Sequence, residues 1–268
     1  MAHVVVRLPS KGEFMAVFLG NYESGSDEWL ALRSGPGVVT GTLAGTIAGL
    51  NPWESAFTAW AKATGKIPNE VRKSRPMRLG QLLEAPIVQL WSEENPDYKI
   101  DTDLGTWSHP DNEWARANPD GFLTYPDGTA GILEIKTARV PFEEVPLHYK
   151  AQVLWYMWVF GIQKAKLVAL FGGNDIQTFE IVWDEFAAQA NAEMVARWWA
   201  CVESGEQPEW DGSTATYEVV RELHPDIDPD GVVDLGQLGI ELTLAQQEFD
   251  KVESHLRELK SRTLDYMG

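Results

Sequence analysis

A chain of 268 residues with 44% hydrophobic content and 12 Trp can bury a full core, which excludes a disordered segment. Its single cysteine, Cys201, excludes a disulfide framework and any cysteine-based zinc or iron–sulfur centre. The net charge of −18 argues against a protein that coats nucleic acid, yet the charge is uneven: residues 1–150 hold 14 Lys/Arg against 19 Asp/Glu, and residues 151–268 hold 8 against 21.

The first residues, MAHVVVRLPSKGEF, lack the long apolar core of a signal peptide. No apolar run reaches the ~18 residues of a membrane helix, so a cytoplasmic location is expected and no membrane partner. Residues 27–33 predict a short helix with Asp27 as N-cap, broken by Gly35-Pro36-Gly37. The small-residue stretch 41–49 opens a second short helix at Thr42, and 54–64 predict a third, closed by Gly65. Arg72, Lys73, Arg75 and Arg78 form the densest basic group, just ahead of a helix over 79–94 whose apolar face is Leu83, Ile87, Leu90 and Trp91. Residues 101–109 are expected to be extended. A hairpin follows over 120–138, then a strongly apolar helix over 148–160 and strands over 166–171 and 176–183. Residues 185–202 predict a helix ending near Gly205, and 205–240, acidic and rich in Pro and Gly, a surface loop. An amphipathic helix over 243–264 closes the chain. Thr243 and Gln246 supply a capping-box pattern, and Leu244, Phe249, Val252, Leu256 and Leu259 the apolar side.

The hairpin carries the chemistry. Asp120 sits in a Pro-Asp-Gly corner, and Pro126-Asp127-Gly128-Thr129 turns strand 122–125 into strand 131–138. Side chains alternate along a strand, so Glu134 and Lys136 share one face, toward which the turn folds Asp120. Two carboxylates and an ammonium are the parts needed to hold a divalent metal and aim a water at a phosphodiester. The same spacing also fits a surface hairpin with an exposed ion pair. Glu84 has Ile87, Val88 and Trp91 at helical spacing, a setting that calls for a metal or a cationic partner. Gln152 and Tyr156 are i, i+4 on the apolar helix, placed either to contact a phosphate and order the site or to pair within the core. His109, ahead of Pro110, reads as structural.

These segments, in this order, resemble the YqaJ-type viral recombinases, relatives of the phage lambda exonuclease in the PD-(D/E)XK nuclease superfamily. The resemblance runs from about Glu28 to Asp211 through Trp29…Arg33, GTLAGTIAGLNPW, MRLGQLLEAPI, HPDNEWARANPDG, GILEIKTA, Tyr149-Lys150-Ala151-Gln152…Tyr156 and LVALFGG. It implies an α/β fold, a central mixed sheet flanked by helices. It implies 5′-to-3′ degradation of double-stranded DNA from an end, in recombination with a single-strand annealing protein of the RecT/Red-beta type. Carried over, Asp120, Glu134 and the Ile135 carbonyl match the metal ligands, Lys136 the catalytic lysine and Glu84 the helix glutamate near the metal. Gln152 and Tyr156 match a Gln-x-x-x-Tyr element. Arg33 and Thr42 stand where the family has an Arg and a Ser near the 5′-phosphate, Thr42 departing from Ser. Hard oxygen ligands favour Mg²⁺ or Mn²⁺ over zinc.

The expected organisation is a nuclease domain over residues 1–212 and an extension over 213–268, in a bacterial host's cytoplasm. The resemblance suggests a homo-oligomer, a trimer ring, with Arg72, Lys73, Arg75 and Arg78 near its DNA channel. The closing helix packs either on its own core or against a subunit or the annealing protein. A restriction or repair endonuclease and an inactive DNA-end-binding module are the competing readings.

Overall fold

The computed structural model describes residues 16–22, 26–34, 37–69, 74–102, 104–226, 228 and 230–268. It divides into two compact units, residues 1–223 and 224–268.

The first unit is built on a five-stranded mixed sheet in the order β2 (Lys99–Asp101), β5 (Gly121–Thr124), β6 (Ala130–Ala138), β7 (Lys164–Phe171), β8 (Asp175–Val182). Every neighbouring pair is antiparallel except β6 and β7, which run parallel and are joined by helix α5 (Leu147–Phe160), the long crossover that parallel strands require. The hairpin turn forms as its residues dictate: the Tyr125 N–H donates to the Thr129 carbonyl at 2.8 Å, Asp127 Oδ1 accepts from the Thr129 N–H, and Gly128 takes φ 81°.

Strand alternation splits the core over the sheet's two faces. Leu133, Ile135 and Val168 pack with Ile87 and Trp91 of α4 (Arg75–Glu94). Ile132, Leu167 and Ala169 pack with Val153, Met157 and Phe160 of α5. From Ala151 to Met157 every residue of α5 is buried, as expected of a helix apolar all round. Trp91 Nε1 donates to Thr178 Oγ1 at 2.8 Å, which ties α4 to β8. Helices α1 (Asp27–Ser34), α2 (Gly41–Ile47), α3 (Ala56–Ala63), α6 (Glu185–Ser204) and α7 (Thr214–Leu223) complete the unit with a small sheet of β1 (Val17–Gly20), β3 (Thr106–Ser108) and β4 (Arg116–Ala117).

Several ends differ from the sequence reading, each for a local reason. Ser26 rather than Asp27 caps α1, its Oγ accepting from the Trp29 N–H, and Thr40 rather than Thr42 caps α2. Helix α4 starts at Arg75, earlier than expected, because Ser74 caps it and Pro76 suits its first turn. Arg75 and Arg78 therefore lie on its first turn, not ahead of it. The acidic loop contains α7, capped by Ser213 and anchored where Thr216 Oγ1 donates to Ser55 Oγ at 2.7 Å. In the second unit the closing helix, α8 (Gln237–Met267), begins before Thr243, whose hydroxyl donates to the Gly239 carbonyl inside the helix and caps nothing. Among the described residues no helix is long and apolar enough to cross a membrane.

Candidate active site

The hairpin, α4 and α5 enclose a cleft of about 780 Å³ in the first unit. Eight of the residues singled out in the sequence line it: Arg33, Glu84, Asp120, Glu134, Ile135, Lys136, Gln152 and Tyr156. Thr42 does not; it is exposed and outside the lining. Arg75 and Arg78 are exposed and outside the lining, and Arg72 and Lys73 lie outside the described residues.

Glu134 is the hub. It is 2% exposed, and its Oε1 accepts from Lys136 Nζ at 2.5 Å and Gln152 Nε2 at 2.8 Å. Gln152 Nε2 also donates to the Tyr156 hydroxyl at 2.8 Å, so the i, i+4 pair orders the site from α5. Glu134 Oε2 is buried and accepts from no N–H or O–H donor, while the Glu134 carboxyl lies against that of Asp120. Across the corner, Asp120 Oδ2 accepts from the Ile135 N–H at 2.7 Å. A residue's N–H and C=O leave a strand on the same edge, so the Ile135 carbonyl leaves β6 on the Asp120 side.

The electrostatics follow from three carboxyls with too few cations. Burial first, then the Asp120 charge, pushes Glu134 up to about 8 against the pull of Lys136. Burial and Asp120 push Glu84 up to about 7, opposed by Lys136 and Arg33. Burial raises Asp120 too, opposed by Lys136 and the Ile135 N–H. Burial works to discharge Lys136, but the Glu134 and Asp120 carboxylates outweigh it and raise its pKa, so the ammonium stays charged. Among the described residues no three His, Cys, Asp or Glu side chains form a closed metal cage. The oxygens that could hold a cation here are those of the Asp120 and Glu134 carboxylates and the Ile135 carbonyl. A carboxylate oxygen without a donor, in a pocket with excess negative charge, suits a hard divalent cation.

Two further wall residues, Tyr149 and Trp53, stand in segments that carried the resemblance but were given no role. The Tyr149 ring lies 5.1 Å from Lys136 Nζ. Its i, i+3, i+7 spacing with Gln152 and Tyr156 puts all three on one face of α5, a signal available in the sequence. Trp53 is 75% exposed at the cleft, and no periodicity marks it. Gly41 also proves necessary. A Cβ there would stand 2.7 Å from Tyr156 Cε1 and 3.1 Å from the Gln152 carbonyl oxygen. Gly41→Ala is expected to push α2 off α5 and displace Gln152, costing about 1–3 kcal/mol. Thermal unfolding checks this; an unchanged midpoint would show that α5 yields freely.

A mixed sheet with an Asp, Glu-x-Lys hairpin at its cleft is a restriction-endonuclease-like fold of the PD-(D/E)XK type. Two solved structures share this fold. The alkaline exonuclease of Laribacter hongkongensis superposes with a TM-score of 0.55 at 18% identity, over 75% of this chain and 99% of that one. Its complex with dAMP gives 0.56 at 18% identity, over 76% and 100%. The chain belongs to the YqaJ-like viral recombinase domain family, whose model matches residues 28–163. Its relative YqaJ of Bacillus subtilis, an uncharacterized protein, is 29% identical over 260 residues, 92% of this chain and 79% of that one.

Proposed function

We propose that this protein is an exodeoxyribonuclease that uses Mg²⁺ or Mn²⁺ to degrade linear double-stranded DNA from an end, 5′ to 3′, in phage-type homologous recombination. The observation that carries the reading is Glu134, buried, held by Lys136 and Gln152 through one oxygen and left with the other without a donor beside Asp120. Asp120, Glu134 and the Ile135 carbonyl would hold the metal, with Glu84 close by. A bound divalent cation would polarise the phosphoryl oxygen and lower the pKa of a water. Lys136, kept charged by its carboxylates, orients that water and offsets the charge developing on the phosphate. Gln152 fixes Glu134, and Tyr156 fixes Gln152. A fold neighbour solved in complex with dAMP is in keeping with a nucleotide ligand here.

Arg33 and Lys136 are the cations of the cleft's described lining, set against the carboxyls of Glu84, Asp120 and Glu134, so a bound divalent cation would be what lets the cleft admit a phosphate. A trimeric ring around DNA and a single-strand annealing protein of the RecT/Red-beta type as partner complete the proposal. Incubation of linear and closed circular DNA with Mg²⁺ tests it. Loss of the linear form alone, stopped by EDTA, is expected. Nicked circles mean an endonuclease; a shift without cutting means a binding module.

Arg33, stacked over Trp29 at 4.4 Å, would hold the terminal 5′-phosphate through its guanidinium fork. Arg33→Ala is expected to slow digestion of 5′-phosphorylated ends by roughly tenfold to a hundredfold, matching the 1.5–3 kcal/mol typical of a charged hydrogen bond, and that of 5′-hydroxyl ends far less. Equal slowing on both would make Arg33 structural. Thr42, exposed and outside the lining, would assist only once DNA is bound.

A further inference from the structure

Helix α8, described within its own unit, spans 31 residues, and none of them is buried. Its apolar residues recur at steps of four and three, Leu238, Leu242, Ala245, Phe249, Val252, Leu256 and Leu259, and polar Thr263 and then Tyr266 continue the spacing. This is an unbroken heptad seam, a period of 3.5 that calls for a second helix along its whole length. Leu242, Phe249, Val252 and Leu256 are 61%, 63%, 68% and 48% exposed. Ile240 and Leu244 lie off the seam and share a shallow hollow with Val233 and Leu235 of the same unit.

The charges beside the seam say what the second helix is. One flank carries Glu241 and Glu248 in the first half and His255 and Arg262 in the second. A parallel copy would set Glu248 against Glu253 of the second copy, like against like. An antiparallel copy, centred between Asp250 and Lys251, sets Glu241 against Arg262 and Glu248 against His255, each twice. The other flank then opposes Gln246 to Glu253, with no like-charged pair. The same register fills the seam: Phe249 meets Val252, small Ala245 meets Leu256, and Leu242 meets Leu259. His255 and Arg262 now touch Glu258 of their own helix only loosely, at 3.8 and 4.0 Å, exposed contacts that hold them weakly.

We infer that α8 is a self-complementary docking element that pairs antiparallel with α8 of a second copy of this chain, over residues 238–263, about 39 Å at 1.5 Å per residue. Such a contact is two-fold, so it joins protomers or rings in pairs and does not itself close a ring. It does not rest on the nuclease reading, and its readout is mass.

Light scattering on the full chain at micromolar concentration tests the pairing. Wild type is expected at twice the mass of Phe249→Asp/Leu256→Asp, whatever order the first unit sets. Glu241→Lys/Glu248→Lys alone and His255→Glu/Arg262→Glu alone should each fall to the lower mass, because each makes one flank single-signed. Mixed one to one, they should return to the wild-type mass, because each then meets its complement. A seam variant with wild-type mass would overturn self-pairing. Charge variants that stay at wild-type mass, or fail to combine, would overturn the antiparallel register.

Discussion

Lys136→Ala is expected to leave the protein folded and to lower its cleavage of linear duplex DNA by roughly a hundredfold to a thousandfold, the range seen when a donor to transition-state charge is removed. The fold should survive because the lost ion pair leaves no stranded charge. Glu134 already has a pKa pushed up to about 8, so without Lys136 it takes a proton, and Gln152 still donates to its Oε1. Breaking a buried pair usually costs about 3–5 kcal/mol; protonation of the survivor removes most of that penalty. Glu134→Gln is the companion variant. It keeps the shape that Gln152 packs on but removes the charge that would hold a cation. Initial rates on 5′-phosphorylated duplex, read beside unfolding temperature, separate chemistry from folding. A folded Lys136→Ala protein with a rate within a few-fold of wild type would falsify the role assigned to Lys136.

What the sequence disclosed of this site, and what it hid, follows from the range of the interactions. The hairpin was legible because its turn is local: Pro126, Asp127 and Gly128 fix it with bonds that span four residues. Strand alternation then placed Glu134 and Lys136 together without any tertiary knowledge. Glu84 was legible as a misfit, a carboxyl among apolar neighbours, but its coupling to Asp120 is a property of the packed unit. Gln152 showed its face and not its partner, because the bond to Glu134 crosses from α5 to the sheet. Gly41 was hidden for the same reason: nothing near it in the chain reveals that Tyr156 will stand within reach of its missing Cβ. Helix α7 was overlooked in an acidic stretch although Thr216, Val219, Val220 and Leu223 repeat at helical spacing. Composition outweighed periodicity there, and the burial of Thr216 and Val219 shows that periodicity was the better guide.

A divalent cation is expected to bind roughly a hundredfold more tightly at pH 8.5 than at pH 6.5, since each proton it must displace costs about tenfold per pH unit below that group's pKa. Glu134, raised to about 8, and Glu84, raised to about 7, are both largely protonated at the lower pH and largely ionised at the higher one. The three carboxyls titrate as a set, so the transition belongs to the cluster and not to one residue. Stability must follow the same linkage. Without metal, a carboxyl whose folded pKa lies above its unfolded value near 4.5 binds more protons folded than unfolded. The cluster therefore favours the folded state below that value, and this contribution is lost as pH rises through 7 to 8. The metal-free protein should be less stable at pH 8.5 than the remaining groups alone would make it, and Mn²⁺ should raise its unfolding temperature more at pH 8.5 than at 6.5. Titration calorimetry in two buffers of different ionisation enthalpy would count the protons released. Affinity that stays flat between pH 6.5 and 8.5, with no proton released, would mean that the cation sits away from Glu134 and Glu84.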